Sequence, residues 1–356
     1  MQTNSTTPIN TKPIVIWLLV GVGMLVIQIV LGGITRLTGS GLSITEWDPI
    51  MGFIPPLNEQ QWLQAFNKYK QIPQYQYINA HFTLNDFKFI FFWEWLHRLW
   101  ARLIGVVFIV PFIWFLYKKK FNQTMIKPLL ILFLLGGLQG LVGWIMVASG
   151  LQDLVYVSHI RLAIHFVLAL GLLCYTAWFA FKLFVPNEHR IANTSLRKCT
   201  FVVLITLIIQ LIYGAFMAGL KAASVATTWP TINGEWVPSN LTSYGNNNYS
   251  GLSIVTNNPI AVQFIHRTIA YVLIILIAFW SYKAYKIKNA ILLQKMFLYP
   301  LFITVIQMEL GILTVLNAAD GKALLYLGVA HQCMAMILLL MLVWMMYIVR
   351  SNKINK

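Results

Sequence analysis

Charge and cysteine are both scarce in this chain of 356 residues. Only 10% of the residues are Asp, Glu, Lys or Arg and three are cysteine, while 58% are hydrophobic and 14% aromatic. Soluble domains carry about a quarter charged residues, so this composition excludes a soluble globular protein and points to an integral membrane protein. Cys174, Cys199 and Cys333 fall within or at the ends of apolar runs, with no pair in an outward loop, and no structural disulfide is implied. Acids are fewer than bases, 10 against 26, leaving a net charge of +16. The cations fall in short blocks between apolar runs rather than along one polar face, so they argue for membrane topology and against a nucleic-acid partner.

Apolar runs of about 20 residues suffice to cross a bilayer as helices. Eight are present, near residues 14–31, 89–117, 128–148, 156–184, 201–220, 260–282, 296–316 and 323–348. Positive residues cluster in alternate connections: Lys118, Lys119, Lys120 and Lys127; then Lys182, Arg190, Arg197 and Lys198; then Lys283, Lys286, Lys288 and Lys295; and Arg350, Lys353 and Lys356 at the end. The turn 149–155 has no Lys or Arg, and the other outer connections from 221 onward have only Lys221 and Lys322. The bias places both termini in the cytoplasm. The first apolar run lacks a basic leader and a small-residue cleavage site, which predicts a retained helix rather than a signal peptide.

Four histidines lie inside the apolar runs as two matched pairs, His97 with His165 and His266 with His331. A histidine in hydrocarbon is a functional hypothesis by default. The first members are 169 positions apart and the second members 166, which predicts an all-α polytopic protein made of two tandem four-helix bundles, 1–190 and 191–356. Four helices separate the copies, so both keep one orientation, about an axis near the membrane normal. All four imidazoles then fall at one depth, roughly 12 Å below the outer surface at 1.5 Å per residue. Facing histidines from two helices suit a haem held by two axial ligands.

Arg98 and Arg267 each directly follow a histidine. A guanidinium there suits a haem propionate, or it marks the membrane boundary by snorkelling. Arg102 shares the face of Arg98. Glu94 precedes His97 by three residues, on the same helix face, whereas the second half has Gln263 in that place. This difference predicts a reaction site in the first half, with Glu94 in general acid–base work or water positioning, and a permanent cofactor site in the second. Alternatively Glu94 only orients His97 or pairs with Arg98. Glu309 is a second intramembrane acid with no catalytic role assigned. His159, near the outer end of the fourth run, and His81, in the outer loop, read as surface histidines, and His189 as cytoplasmic. The long connection 35–88 has Glu59, Trp62, Phe66 and Tyr69 at helical spacing, as in an amphipathic segment on the membrane. Residues 32–43, rich in glycine and hydroxyls, read either as a helix end and turn or as a lid whose Arg36 meets an acidic substrate group.

These motifs resemble the haem A synthases, specifically the mitochondrial and alphaproteobacterial-like branch. The matching stretches are residues 32–43, the segment from Trp62 to Tyr75, residues 84–90 running into Glu94–Arg98, and 140–151. The resemblance implies oxidation of the C8 methyl of haem O to a formyl group by two successive hydroxylations, giving haem A for cytochrome oxidase. It implies that His266 and His331 bind a resident haem b, that His97 and His165 belong to the substrate site, and that Glu94 is catalytically important. It implies a multi-pass protein of the bacterial cell membrane, with a haem O synthase and an electron acceptor as partners and homo-oligomers as an open prospect. Some bacterial members carry a cysteine pair in the first outer loop; none is present here. The rivals are a non-enzymatic di-haem b-type electron carrier, for which the Glu94/Gln263 difference has no use, and a haem transporter, which needs a polar route that the apolar inner halves of the helices lack.

Overall fold

The computed structural model describes residues 11–46, 52–151 and 155–351. It is a helical bundle with elements α1 (Lys12–Leu37), α2 (Glu59–Tyr69), α3 (Pro73–Tyr77), α4 (Leu84–Tyr117), α5 (Gln123–Leu151), α6 (His159–Phe184), α7 (Thr194–Gly219), α8 (Leu252–Asn257), α9 (Pro259–Tyr285), α10 (Ile291–Met296), α11 (Tyr299–Leu316) and α12 (Gly321–Ile348). Among the described residues eight helices are long and apolar enough to cross a membrane, α10 and α11 together forming the seventh. Pro300, at the start of α11, separates that pair, because proline is preorganised for a first helical turn but cannot continue one.

α1 and α4 each run well past one end of their apolar stretches. α1 continues through Gly32 and Gly33 to Leu37, so Thr35 and Arg36 are helical rather than part of a loop. The two glycines lie where other helices approach closely, Gly32 at the ring of His97 and Gly33 at the side chain of Gln332. α4 starts at Leu84 behind a capping box in which Thr83 and Asp86 satisfy each other's backbone N–H. Its 34 residues reach about 50 Å at 1.5 Å per residue, well beyond a hydrocarbon core of about 30 Å. The surplus N-terminal turns carry Phe87 and Phe91, on which Trp62, Phe66 and Tyr69 of the α2 region pack edge-on and stacked. The helical pattern 59–69 is therefore correct, with its apolar side against α4. Burial raises the Tyr69 hydroxyl to about 12, so it stays protonated and donates to Gln74 while Asn79 donates to it. Gln74 in turn donates to Gly39 O, fastening this cap to the end of α1.

The central helices are α1, α6, α7 and α12; α1 packs on α6 and α12, and α7 on α6 and α12. Outside them α4 flanks α1, α5 flanks α6, α9 flanks α7 and α11 flanks α12. The halves thus face each other about a twofold-like seam, and one apolar core, including Leu18, Leu173, Leu207, Trp280 and Leu339, runs through both. Short strands β1 (Ile191–Ala192), β2 (Ser243–Tyr244), β3 (Asn247–Asn248) and β4 (Val349–Arg350) complete the chain; β1 pairs with β4 in parallel and β2 with β3 as an antiparallel pair. The cations near β1 have a structural task too. Arg197 donates to Met346 O and Val349 O, and Arg190 to Tyr347 O, satisfying carbonyls at the end of α12. Residues 1–10 and 352–356, including Lys353 and Lys356, lie outside the described residues, as do 152–154 of the 149–155 turn. A reporter fused after Lys120 is expected to report from the cytoplasm; a periplasmic signal would overturn the charge-based orientation and the common depth built on it.

Candidate functional site

Each intramembrane histidine is met by a glutamine and a glycine from the preceding transmembrane helix. Gln28 Nε2 lies 3.2 Å from the His97 ring nitrogens, Gln139 Nε2 3.1 Å from His165 Nδ1, Gln210 Nε2 3.3 Å from His266 Nε2 and Gln307 Nε2 3.1 Å from His331 Nδ1. One turn after each glutamine comes the glycine against the same ring. A Cβ would stand 3.2 Å from His97 Cε1 on Gly32, 2.8 Å from His165 on Gly143, 3.5 Å from His266 on Gly214 and 2.9 Å from His331 on Gly311. A Gln-x-x-x-Gly sequence therefore occurs four times, always one helix ahead of its histidine. The unit that repeats is a helix hairpin, used four times, inside the twofold repeat read from the sequence. Between the third helices of the halves, the register that superposes Gln139 and Gly143 on Gln307 and Gly311 is the one the contacts obey.

The histidine-bearing helices begin behind side-chain caps, Thr83, Ser158, Asn258 and Asp320, which accept from first-turn backbone N–H groups. At His331, Nδ1 is 3.1 Å from Gln307 O. If Nδ1–H donates to that carbonyl, Nε2 carries the lone pair; it faces Gln307 Nε2 at 3.2 Å and is the nitrogen a metal would take.

All four histidines line one cavity of about 1280 Å³ that extends through both halves. Typical small-molecule pockets are about 300–1,000 Å³, so this one has room for more than one large apolar group. Among the described residues, the Oε1 atoms of Gln28, Gln139, Gln210 and Gln307, and Nδ1 of His266, are buried without a hydrogen-bond partner. Imidazole donors in pairs, glycine cradles at every ring and apolar walls fit haem-like groups. No cluster of three or more His, Cys, Asp or Glu suited to a bare metal ion exists among the described residues. Replacing Gly311 by Ala forces a Cβ into the His331 ring, whereas at Gly214 an added methyl makes ordinary contact. Gly311→Ala is therefore expected to lower haem content in the second half and Gly214→Ala to leave it; equal content in the two purified variants would contradict the cradle.

Glu94 is 2% exposed and both its oxygens are engaged. Arg98 Nη2 donates to Oε1 at 2.6 Å, while Ser43 Oγ and Ile44 N donate to Oε2 at 2.7 and 2.9 Å. Arg98 also reaches Ile44 O and Glu46 O. The second half repeats this clamp without charge on its acid position. Gln263 Nε2 donates to Ala226 O at 2.9 Å, and Arg267 to Thr228 O and Thr231 O. Glu94 and both arginines line the cavity, and each set pins the outer loop that follows α1 or α7. Sequence reasoning foresaw the Glu94–Arg98 contact as one alternative but not the loop fastening, which needs partners some 50 residues away.

Arg36 also lines the cavity, and its guanidinium donates to Ala218 O and Gly219 O at the end of α7, joining the halves. Arg102 lines the cavity beside Arg98. Glu309 is exposed on α11 and is not part of the lining. His81 and His189 are exposed, as expected. His159 is not a free surface residue: it is half-buried, hydrogen-bonded to Asn257 at 3.2 Å and edge-on to Phe216, because the start of α6 is wedged against the end of α7 at Gly219.

Fold and site define a class, the polytopic helical membrane proteins whose histidines converge from neighbouring helices on an apolar interior. Within it, the chain belongs to the cytochrome oxidase assembly protein family (COX15-CtaA), whose model matches residues 15–343. It is 44% identical over 334 residues to a protein named Heme A synthase from Flavobacterium psychrophilum, covering 93% of this chain and 96% of the relative. It is 40% identical to the Heme A synthase of Flavobacterium johnsoniae, covering 93% and 96%, and 41% identical to that of Rhodospirillum centenum, covering 95% and 89%.

Proposed function

We propose that this protein oxidises the C8 methyl of haem O to a formyl group, through two successive hydroxylations, and so makes haem A for cytochrome oxidase. The observation that carries this reading is the near full-length similarity to proteins named Heme A synthase, in a chain whose four cavity histidines are each backed by a glutamine and a glycine. His97 and His165 hold the iron of the substrate haem. His266 and His331 hold a resident haem b, which when bound supplies electron transfer. Arg98, Arg267 and Arg36 give the cavity a cationic outer rim toward propionates, and Glu94 sets the charge beside His97. The site lies in a bacterial cell membrane, in the outer half of the bilayer, with both termini cytoplasmic. Haem O synthase is the upstream partner, and an electron acceptor completes the reaction.

The rival reading, a di-haem electron carrier, assigns no task to the Glu94/Gln263 difference. The test is the haem extracted from purified protein coexpressed with a haem O source. Haem A or its hydroxymethyl precursor is expected; haem b alone at two per chain would favour the carrier.

A further inference from the structure

The two halves differ in one respect that their shared hairpin plan does not require. In the second half α9 packs along α11, closing the bundle, whereas the equivalent α4 and α5 are barely in contact. No residue in the most apolar window of α4 is buried, against 33% of that of α9. Gly105 on α4 and Gly136, Gly137 and Gly140 on α5 line the cavity on this side, and a Cβ on any of them would meet nothing within 4 Å. Glycines in membrane helices commonly let two backbones approach. Here nothing approaches, so close packing is not their use. At the corresponding positions the second half carries the larger residues Ile274, Thr304, Val305 and Met308. The cleft is bounded at its inner end by Phe108 and Phe133, stacked across it with centroids 6.5 Å apart. Its outer end is covered by α2 and α3, which pack on α4 and α5 respectively. What remains is an apolar window between two helices, opening from the cavity of His97 and His165.

We propose that the α4–α5 cleft is the subsite for the long isoprenoid chain of the substrate haem, and the side through which that haem enters from the bilayer. This deepens the proposed function and rests on it. A tail-bearing macrocycle partitions into lipid, and a lateral window lets the ring slide toward His97 and His165 while the tail keeps apolar contact throughout. The resident site needs no such window, because its group is bound once and kept, and α9 packs directly on α11 there. Glycine backbone, aliphatic side chains and aromatic rings flank the cleft, so recognition is by shape and apolar contact and is sensitive to added volume.

The test places second-half residues in the first-half cleft, as Gly140→Met and, independently, Gly137→Val. Purified full-length protein carrying haem b is titrated with haem O and with protohaem IX, which lacks the isoprenoid chain, following the haem absorption bands. Both variants are expected to lose haem O affinity by roughly 10–200-fold, the scale of misfit in an apolar pocket, while protohaem IX binds as in the wild type. Size-exclusion profiles check the fold of each variant. Unchanged haem O affinity in both variants would overturn the subsite, and so would equal loss of both haems, which would assign the cleft to the macrocycle. If wild-type protein binds haem O no better than His97→Ala does, the proposed function fails, and the cleft assignment with it.

Discussion

His266→Ala and His331→Ala proteins are expected to be purified without low-spin haem b, while His97→Ala and His165→Ala retain it. The expectation follows from the way the second half holds its rings. His266 and His331 are set by Gln210 and Gln307 from the neighbouring helices, and the backbone N–H groups at the starts of their own helices are satisfied by Asn258 and Asp320. His331 Nδ1 lies 3.1 Å from Gln307 O, a contact that would orient the ring with Nε2 toward a metal. His266 and His331 would each supply one bond to the haem iron, so losing either would remove one of the two protein bonds that hold it. Haem content and the low-spin absorption bands read the outcome directly. Full retention of low-spin haem b in both second-half variants would refute the assignment, and its loss only in the first-half variants would exchange the roles of the halves.

Turnover of Glu94→Gln protein is expected to fall by about 10²–10⁴-fold, the usual contribution of a positioned acid–base group, with haem b retained. The fold itself shows that an amide is acceptable in this clamp, because Gln263 occupies the equivalent position and bonds the equivalent loop through Ala226 O. Arg98 keeps Ile44 O and Glu46 O as acceptors after the change, so the stability lost is expected to be about 1–3 kcal/mol, that of one weakened buried polar contact. What disappears is the negative charge 2.6 Å from Arg98 on the helix face of His97. An amide cannot take a proton or balance positive charge developing at the substrate. Near-normal haem A formation by Glu94→Gln would assign the carboxylate to loop fastening alone. Loss of haem b together with activity would point the same way, since a loosened outer loop acts on binding before chemistry.

The family was legible in the sequence, as were the eight spans and the two histidine pairs. The reason is that a bilayer imposes a length and a composition on each helix, and these are local properties. The recurrence of His97-Arg98 as His266-Arg267 was legible too, because it stands in the letters themselves. The smaller fourfold unit was equally present in the letters, as Gln28-x-x-x-Gly32 and its three counterparts, but glutamine in a helix carries no pattern of its own until its partner is known. Arg36 was read in a loop because two consecutive glycines normally end a helix. They do not end this one, since His97 and Gln332 pack against the bare backbone there. His159 was read as a surface residue because it has no repeat partner, whereas its environment comes from the seam between halves.

The sequence by itself determined that this is a membrane protein with eight helices and four intramembrane histidines in two matched pairs, with the acid Glu94 beside His97 where Gln263 stands near His266. Only the tertiary structure decided what those residues meet: glutamine and glycine at every ring, Arg98, Ser43 and Ile44 around Glu94, one cavity shared by both halves, and a cleft left between α4 and α5 that α9 and α11 close. Hydrophobic composition specifies that a helix lies in the bilayer, but helices that are apolar on every side carry little record of which neighbour each face will meet. That choice is made by the packing of side chains distant in sequence, and it exists only once the bundle has formed.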